Sequence, residues 1–127
     1  MNVKGSRATI EAFQSLPHIS TINYTRAIRW HPDGLESWSL SDWGMGLAGE
    51  VGELCNVVKK MNRIRDGLKG NKPHENFGTL SSMLGDEIAD VFIYLDLFAR
   101  RAGFNLEDVV RKKFNETSER VGFPERL

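Results

Sequence analysis

The chain is short of the residues on which several kinds of chemistry depend. It has one cysteine, Cys55, in 127 residues. No intrachain disulfide can form, and such a chain suits a reducing compartment. Its three histidines, His18, His31 and His74, do not stand at Glu-x-x-His spacing, and no His-x-x-x-His occurs. That withholds the ligands of a ferritin-like di-iron site and of a closed zinc site. No P-loop pattern is present. Surplus charge is missing too, because 17 basic residues face 17 acidic ones. The chain therefore lacks the basic excess that draws nucleic acid or an anionic membrane, although a local cluster can still hold a small polyanion. The longest apolar run, "VFIYL", stops at Asp96, far short of the roughly 20 residues of a membrane span. The opening "MNVKGSRATIEAFQSL" has no long apolar core and no small-residue cleavage site. The expectation is a soluble, cytoplasmic protein of one domain over residues 1–127, with neither membrane nor nucleic-acid polymer as partner.

Alternating strand patterns and internal repeats are also absent, and the helical period dominates. A first helix is expected from about Arg7 to Leu16, with Ser6 as N-cap and Pro17 as its end. "STINYTRAIRW" suggests a second, capped by Ser20, with Ile22 and Ile28 pointing inward. "HPDGLESW" reads as a loop. The next helix starts near Ser39 or Ser41 and runs to about Arg65, where Asp66-Gly67 ends it. Its apolar stripe is read as Leu47, Val51, Leu54, Val58 and Met61. A polar loop, "DGLKGNKPHENFG", is expected to be mobile. A long helix then spans about Thr79 to Ala102, and Gly103 caps it. Asn105 caps the last helix, which Gly122 and Pro124 close. The fold class is all-α, a bundle of four to five helices.

Two stretches carry chemistry. "MGLAGEVGELCNVVKK" sets Gly46, Gly49 and Gly52 inside a helix, where each costs about 1 kcal/mol relative to alanine. The three drift slowly around one side, next to Glu50 and Glu53. A backbone stripped in this way admits either a neighbouring helix or a flat ligand. "LGDEIADVFIYLDLFARRAG" is apolar nearly all round, the pattern of a buried central helix. Within it Glu87, Asp90 and Tyr94 project from one face. Each helix thus offers a carboxylate pair at i and i+3, and antiparallel packing would bring the pairs together. Four carboxylates in a helical core must take up protons or hold a cation. A hard divalent ion such as Mg²⁺, which completes its shell with water and phosphate oxygens, suits them.

Each feature also has a plainer explanation. A lone Glu-x-x-Glu is usually a solvated face, Tyr94 a core aromatic, and the glycines a helix-packing device. Trp30, Trp38 and Trp43 are candidates for stacking on a base, as His31 is for a base edge, yet tryptophans mostly serve the core. Lys59, Lys60, Lys112, Lys113 and Arg120 would suit phosphates, or simply the helix dipole.

"LAGEVGEL", "DEIADVFIYL" and "RKKFNETSERVGF" resemble the MazG-like, all-α nucleotide pyrophosphohydrolases, which include dCTP pyrophosphatases and dimeric dUTPases. The likeness covers about Trp38 to Gly122. It implies hydrolysis of a nucleoside triphosphate to monophosphate and pyrophosphate, with Mg²⁺ (or Mn²⁺ in its place) on Glu50, Glu53, Glu87 and Asp90. Glu50 and Glu53 become the catalytic candidates, Glu53 as the group that orients the attacking water. Tyr94 matches a nucleotide-pocket position. Lys113, Asn115 and Arg120 match a tail motif that reaches phosphate or sugar, and Lys60 matches more loosely. Trp43 and the Trp30/His31 pair lie where relatives place base contacts. The resemblance also implies a homodimer or homotetramer. The spacer "DGLKGNKPHENFGTLSS" is longer than the family pattern and leaves base and sugar open. The rival from another class is a helical regulatory module that binds nucleotide or metal without hydrolysis. A nucleic-acid-binding tail helix is disfavoured by Glu107, Asp108, Glu116 and Glu119 among its lysines.

Overall fold

Capping chemistry sets the helix ends in the computed structural model, which describes residues 16–127. Among these residues there are four α-helices and no strand: α1 Leu16–Ala27, α2 Leu40–Arg65, α3 Phe77–Arg101 and α4 Leu106–Val121. The all-α expectation holds. The helix expected from Arg7 to Leu16 lies, but for its last residue, outside the described residues. Among the described residues no helix is long and apolar enough to cross a membrane.

Ser39 opens α2 with a capping box. Its hydroxyl accepts from the Asp42 N–H at 3.1 Å, and the Asp42 carboxylate accepts from the Ser39 N–H at 2.9 Å. That backbone donation holds the Asp42 carboxyl below its ordinary range. Helix α3 ends at Gly103, whose φ of +84° lets Phe104 N–H reach back to Ala99 C=O at 2.9 Å. Asn105 caps α4 by accepting from Asp108 N–H at 3.1 Å.

The described residues form two units: one comprises those through Ser37 with Ala99–Leu127, the other Trp38–Phe98. In the first, Pro17 does not end a helix but sits in the first turn of α1, where its missing N–H costs nothing. Ser20 lies inside α1 and is no cap; its hydroxyl accepts from Arg100, whose guanidinium also lies 4.7 Å from the Tyr24 ring centre. The buried face of α1 is Asn23 and Ala27, while Ile22 is exposed and Ile28 only half-buried. A short 3-10 turn, Leu35–Ser37, replaces part of the expected loop and buries Leu35.

The second unit is a hairpin of α2 and the larger part of α3. Trp43 lies near Tyr94, Glu50 near Glu87 and Lys60 near Glu75, so the helices run antiparallel. The inward stripe of α2 is Trp43, Leu47, Glu50, Leu54, Val57 and Met61, all buried or half-buried. Their 4-3-4-3-4 spacing is that of a helix-packing seam. Val51 and Val58, expected on this stripe, are exposed. Helix α3 answers with Leu80, Leu84, Glu87, Val91, Tyr94 and Phe98 at the same spacing. Leu80 is fully buried, but Ile88 and Leu95 are exposed. The apolar-all-round sequence of α3 is therefore not covered all round, because its partner in the hairpin shields one stripe only. Asp96 on α3 is nevertheless buried, at 2% exposure.

Candidate metal centre

The two seams share one feature that follows from the sequence phase. Counting from Trp43 and from Leu80, the third position of each is a glutamate, Glu50 and Glu87. A carboxylate at a seam position is pushed against apolar neighbours and loses water. Burial is accordingly the first cause that raises the Glu50 carboxyl above its ordinary range, followed by the charges of Glu53, Asp90 and Glu87. Glu87 is raised by the same first cause, and then by Glu53, Asp90 and Asp86. Two carboxylates can bond only by sharing a proton, so the contact of Glu87 with Glu53 also favours the protonated form.

Glu50, Glu53 and Glu87 each offer an oxygen, and these atoms lie within 4.8 Å of one another. Glu53 is exposed and the other two half-buried, so the cluster opens to solvent on one side. Glu87 Oε2 is buried with no hydrogen-bond partner among the described residues. A buried anionic oxygen without a donor is costly, and a cation relieves it. An ion central to oxygens with this spread lies no more than about 2.8 Å from any of them, so side chains must close by under about 1 Å to reach Mg²⁺–oxygen distances. All-oxygen donors of this kind fit Mg²⁺ or Mn²⁺ rather than a thiolate-seeking metal. Asp90 is not among the three converging residues, but its charge acts on both Glu50 and Glu87.

The aromatic and basic candidates fare unevenly. Trp43 is buried at 2% exposure, with Trp38 4.8 Å and Tyr94 6.2 Å away between ring centres. No face of it is left for a base. Tyr94 is half-buried, and its hydroxyl has no hydrogen-bond partner among the described residues. Lys60 is engaged by Glu75 at 2.8 Å, a residue only 5% exposed. The Lys60 ammonium, ahead of burial, decides that carboxyl's direction and holds it below its ordinary range. Asn71 donates to Lys60 C=O at 2.9 Å and accepts from Arg63 at 3.4 Å. The spacer expected to be mobile is thus tied to the C-terminal half of α2. Nothing in the sequence singled out Glu75, since one acid in a polar loop looks solvated.

In the other unit, Nδ1 of His31 lies 3.1 Å from the hydroxyl of Ser37. The Asn115 carboxamide is taken at both ends by Leu127: it accepts the Leu127 N–H at 2.9 Å and donates to Leu127 C=O at 3.3 Å. Lys113, Arg120 and Trp30 are exposed, Trp30 with Arg26 5.8 Å from its ring centre. Of the three interior glycines, Gly46 meets the Tyr94 ring, whereas Gly49 and Gly52 face open space within 4 Å.

Compared with known families, residues 41–121 match the model of the MazG nucleotide pyrophosphohydrolase domain. The chain belongs to the MazG family. The matched span holds all three converging glutamates, Asp90, Tyr94 and the tail residues Lys113, Asn115 and Arg120. Trp30 and His31 fall outside it. The MazG-family chain is also similar to the Gene 37 protein of Mycobacterium phage L5, with 36% identity over 76 residues. That alignment covers 60% of this chain and 60% of the phage protein. No solved structure matches.

Proposed function

We propose that this MazG-family chain hydrolyses a nucleoside triphosphate to the monophosphate and pyrophosphate, with Mg²⁺ or Mn²⁺ held by Glu50, Glu53, Glu87 and Asp90. The observation that carries this is the convergence of three glutamate oxygens within 4.8 Å, two of them from the facing seam positions Glu50 and Glu87 and the third from exposed Glu53, with an orphaned buried oxygen on Glu87. The bound ion would neutralise triphosphate charge and lower the pKa of water. The chain's own part is placement. Glu50 and Glu87 are held by the seam, one from each helix, with Glu53 beside them. Glu53, the exposed member, can reach solvent and accept a proton from the water that attacks the α-phosphorus. Pyrophosphate leaves in line with that water. Little covalent work falls to the protein, and the rate comes from positioning and charge neutralisation.

In this scheme Tyr94 contacts the nucleotide, since its hydroxyl is unpartnered one turn beyond Asp90. Lys113, Asn115 and Arg120 are proposed as phosphate or sugar contacts on the family's tail pattern alone. Lys60 and Trp43 are assigned to structure instead. We further propose that the protein works as a homodimer or homotetramer in the cytoplasm, clearing the nucleotide pool. Exposed Met45, Val51, Val58, Ile88 and Leu95 on the hairpin support self-association.

Glu53→Gln and Asp90→Asn each remove a charge with little change of shape. Both are expected to lower turnover of a nucleoside triphosphate by at least 100-fold, with helix content by circular dichroism unchanged. Full activity in both variants would remove the acidic cluster from the reaction. Nucleotide binding without any product would favour the regulatory module.

A further inference from the structure

Gly46 lies in the interior of α2, where glycine is the poorest residue after proline. Its backbone is ordinarily helical, so no special φ demands it. The reason lies across the seam. A Cβ built at Gly46 would stand 2.8 Å from Tyr94 Cε1 and 3.1 Å from Cδ1, with Trp38 at 3.9 Å. Carbon atoms do not approach to 2.8 Å without something shifting. Trp43, one turn before Gly46 on the same helix, is buried with its ring centre 6.2 Å from that of Tyr94, so the Tyr94 ring is seated against α2 by Trp43 as well as by the bare backbone of Gly46. Gly49 and Gly52 show no such contact. Of the three glycines, one is therefore explained by a named neighbour, and that neighbour carries an unpartnered hydroxyl.

We propose that Gly46 is a positioning residue for Tyr94: by lacking a side chain it lets the Tyr94 ring seat against α2, which aims the phenol hydroxyl at a polar group of the bound nucleotide. This rests on the nucleotide hydrolysis proposed above, with Tyr94 as a substrate contact. Gly46 itself touches no substrate. An added methyl pushes the ring outward and moves the hydroxyl off its partner, while the carboxylates on the preceding turns stay where they are. The effect falls on substrate affinity and leaves the chemical step alone.

The test is a double-mutant cycle on steady-state kinetics. The probe is whichever of dATP, dGTP, dCTP, dTTP and dUTP the full chain hydrolyses fastest with Mg²⁺. Gly46→Ala and Tyr94→Phe are each expected to raise KM by about 5- to 10-fold, the usual worth of one hydrogen bond to a substrate, with kcat within twofold. The double variant should be no worse than Tyr94→Phe alone, because the hydroxyl that Gly46 positions is already gone. A merely structural role for Gly46 gives effects that multiply. Multiplying effects, or an unchanged KM in Gly46→Ala, would overturn the proposal and leave the hydrolase reading standing. An unchanged KM in Tyr94→Phe would also overturn it, by removing the hydroxyl from the substrate. If neither these five nor a panel of ribonucleoside and modified triphosphates is hydrolysed, the reading beneath it falls as well. Should Gly46→Ala fail to fold, Gly46→Ala with Tyr94→Leu relieves the overlap and is expected to fold. Its failure would show that the glycine answers to something other than Tyr94.

Discussion

Exchange of Glu87 for glutamine probes the acidic seam without any nucleotide. The metal-free parent carries two carboxyls, Glu50 and Glu87, raised above their unfolded value of 4.5. A carboxyl raised by folding prefers to be protonated in the native state. Its contribution to stability is complete below 4.5 and is lost as pH rises through the higher folded value. Glutamine does not titrate. The metal-free Glu87→Gln variant should therefore melt above the parent at pH 8, and this lead should shrink toward pH 4. Mg²⁺ should reverse the order. A ligand bound only by the native state adds about 2.7 kcal/mol at a hundredfold excess over its Kd. For 127 residues, an unfolding entropy of about 2.1 cal/mol/K per residue sums to about 0.27 kcal/mol/K, so the parent's Tm should rise by about 10 °C. With one of three converging carboxylates gone, the variant should gain less than about 3 °C at the same concentration. Scanning calorimetry at pH 5 and pH 8, with EDTA or with Mg²⁺, reads all of this. Equal Mg²⁺ shifts in parent and variant would refute the cluster as a cation site. A metal-free variant that melts below the parent at pH 8 would refute the charge crowding.

Glu75→Gln should loosen the spacer, seen as faster amide exchange over residues 66–76 at pH 7. Because the Glu75 carboxyl is depressed, its contribution is present above 4.5 and lost as pH falls through the lower folded value, so parent and variant should converge near pH 2. A difference that persists there would place the cause elsewhere than the Lys60 ion pair. For self-association, light scattering on the full chain should give a multiple of 14.4 kDa, and Ile88→Glu should reduce it. A monomeric parent at micromolar concentration would defeat the oligomer proposal.

Local chemistry was the legible part. Ser39 (one of two candidates with Ser41), Asn105, Gly103 and Gly122 mark helix ends because caps are bonds between near neighbours, which a sequence displays directly. The proximity of Glu50, Glu53 and Glu87 was legible for the same reason, since i and i+3 fix a shared face, but Asp90, expected with them, is not among the converging residues. The phase of α2 was misread because its true seam passes through Glu50 and two glycine-flanked turns, whereas Val51 and Val58 offered a more apolar stripe. Only the partner helix decides between them. Pro17 suits a helix start as well as a stop, and the residues on either side did not distinguish the two. The occupation of Lys60 by Glu75 and of Asn115 by Leu127 depends on contacts 15 and 12 residues apart, which no periodicity announces. Trp43 was offered to a base because its type suits stacking, but burial against Trp38 and Tyr94 settles its use.

Hydrolysis in ¹⁸O-labelled water tests the central claim most directly. With Mg²⁺ and a panel of canonical and modified nucleoside triphosphates, the account predicts a nucleoside monophosphate that carries one ¹⁸O, unlabelled pyrophosphate, and no product in EDTA or in Glu53→Gln. Release of labelled orthophosphate, or turnover that survives EDTA, would contradict it.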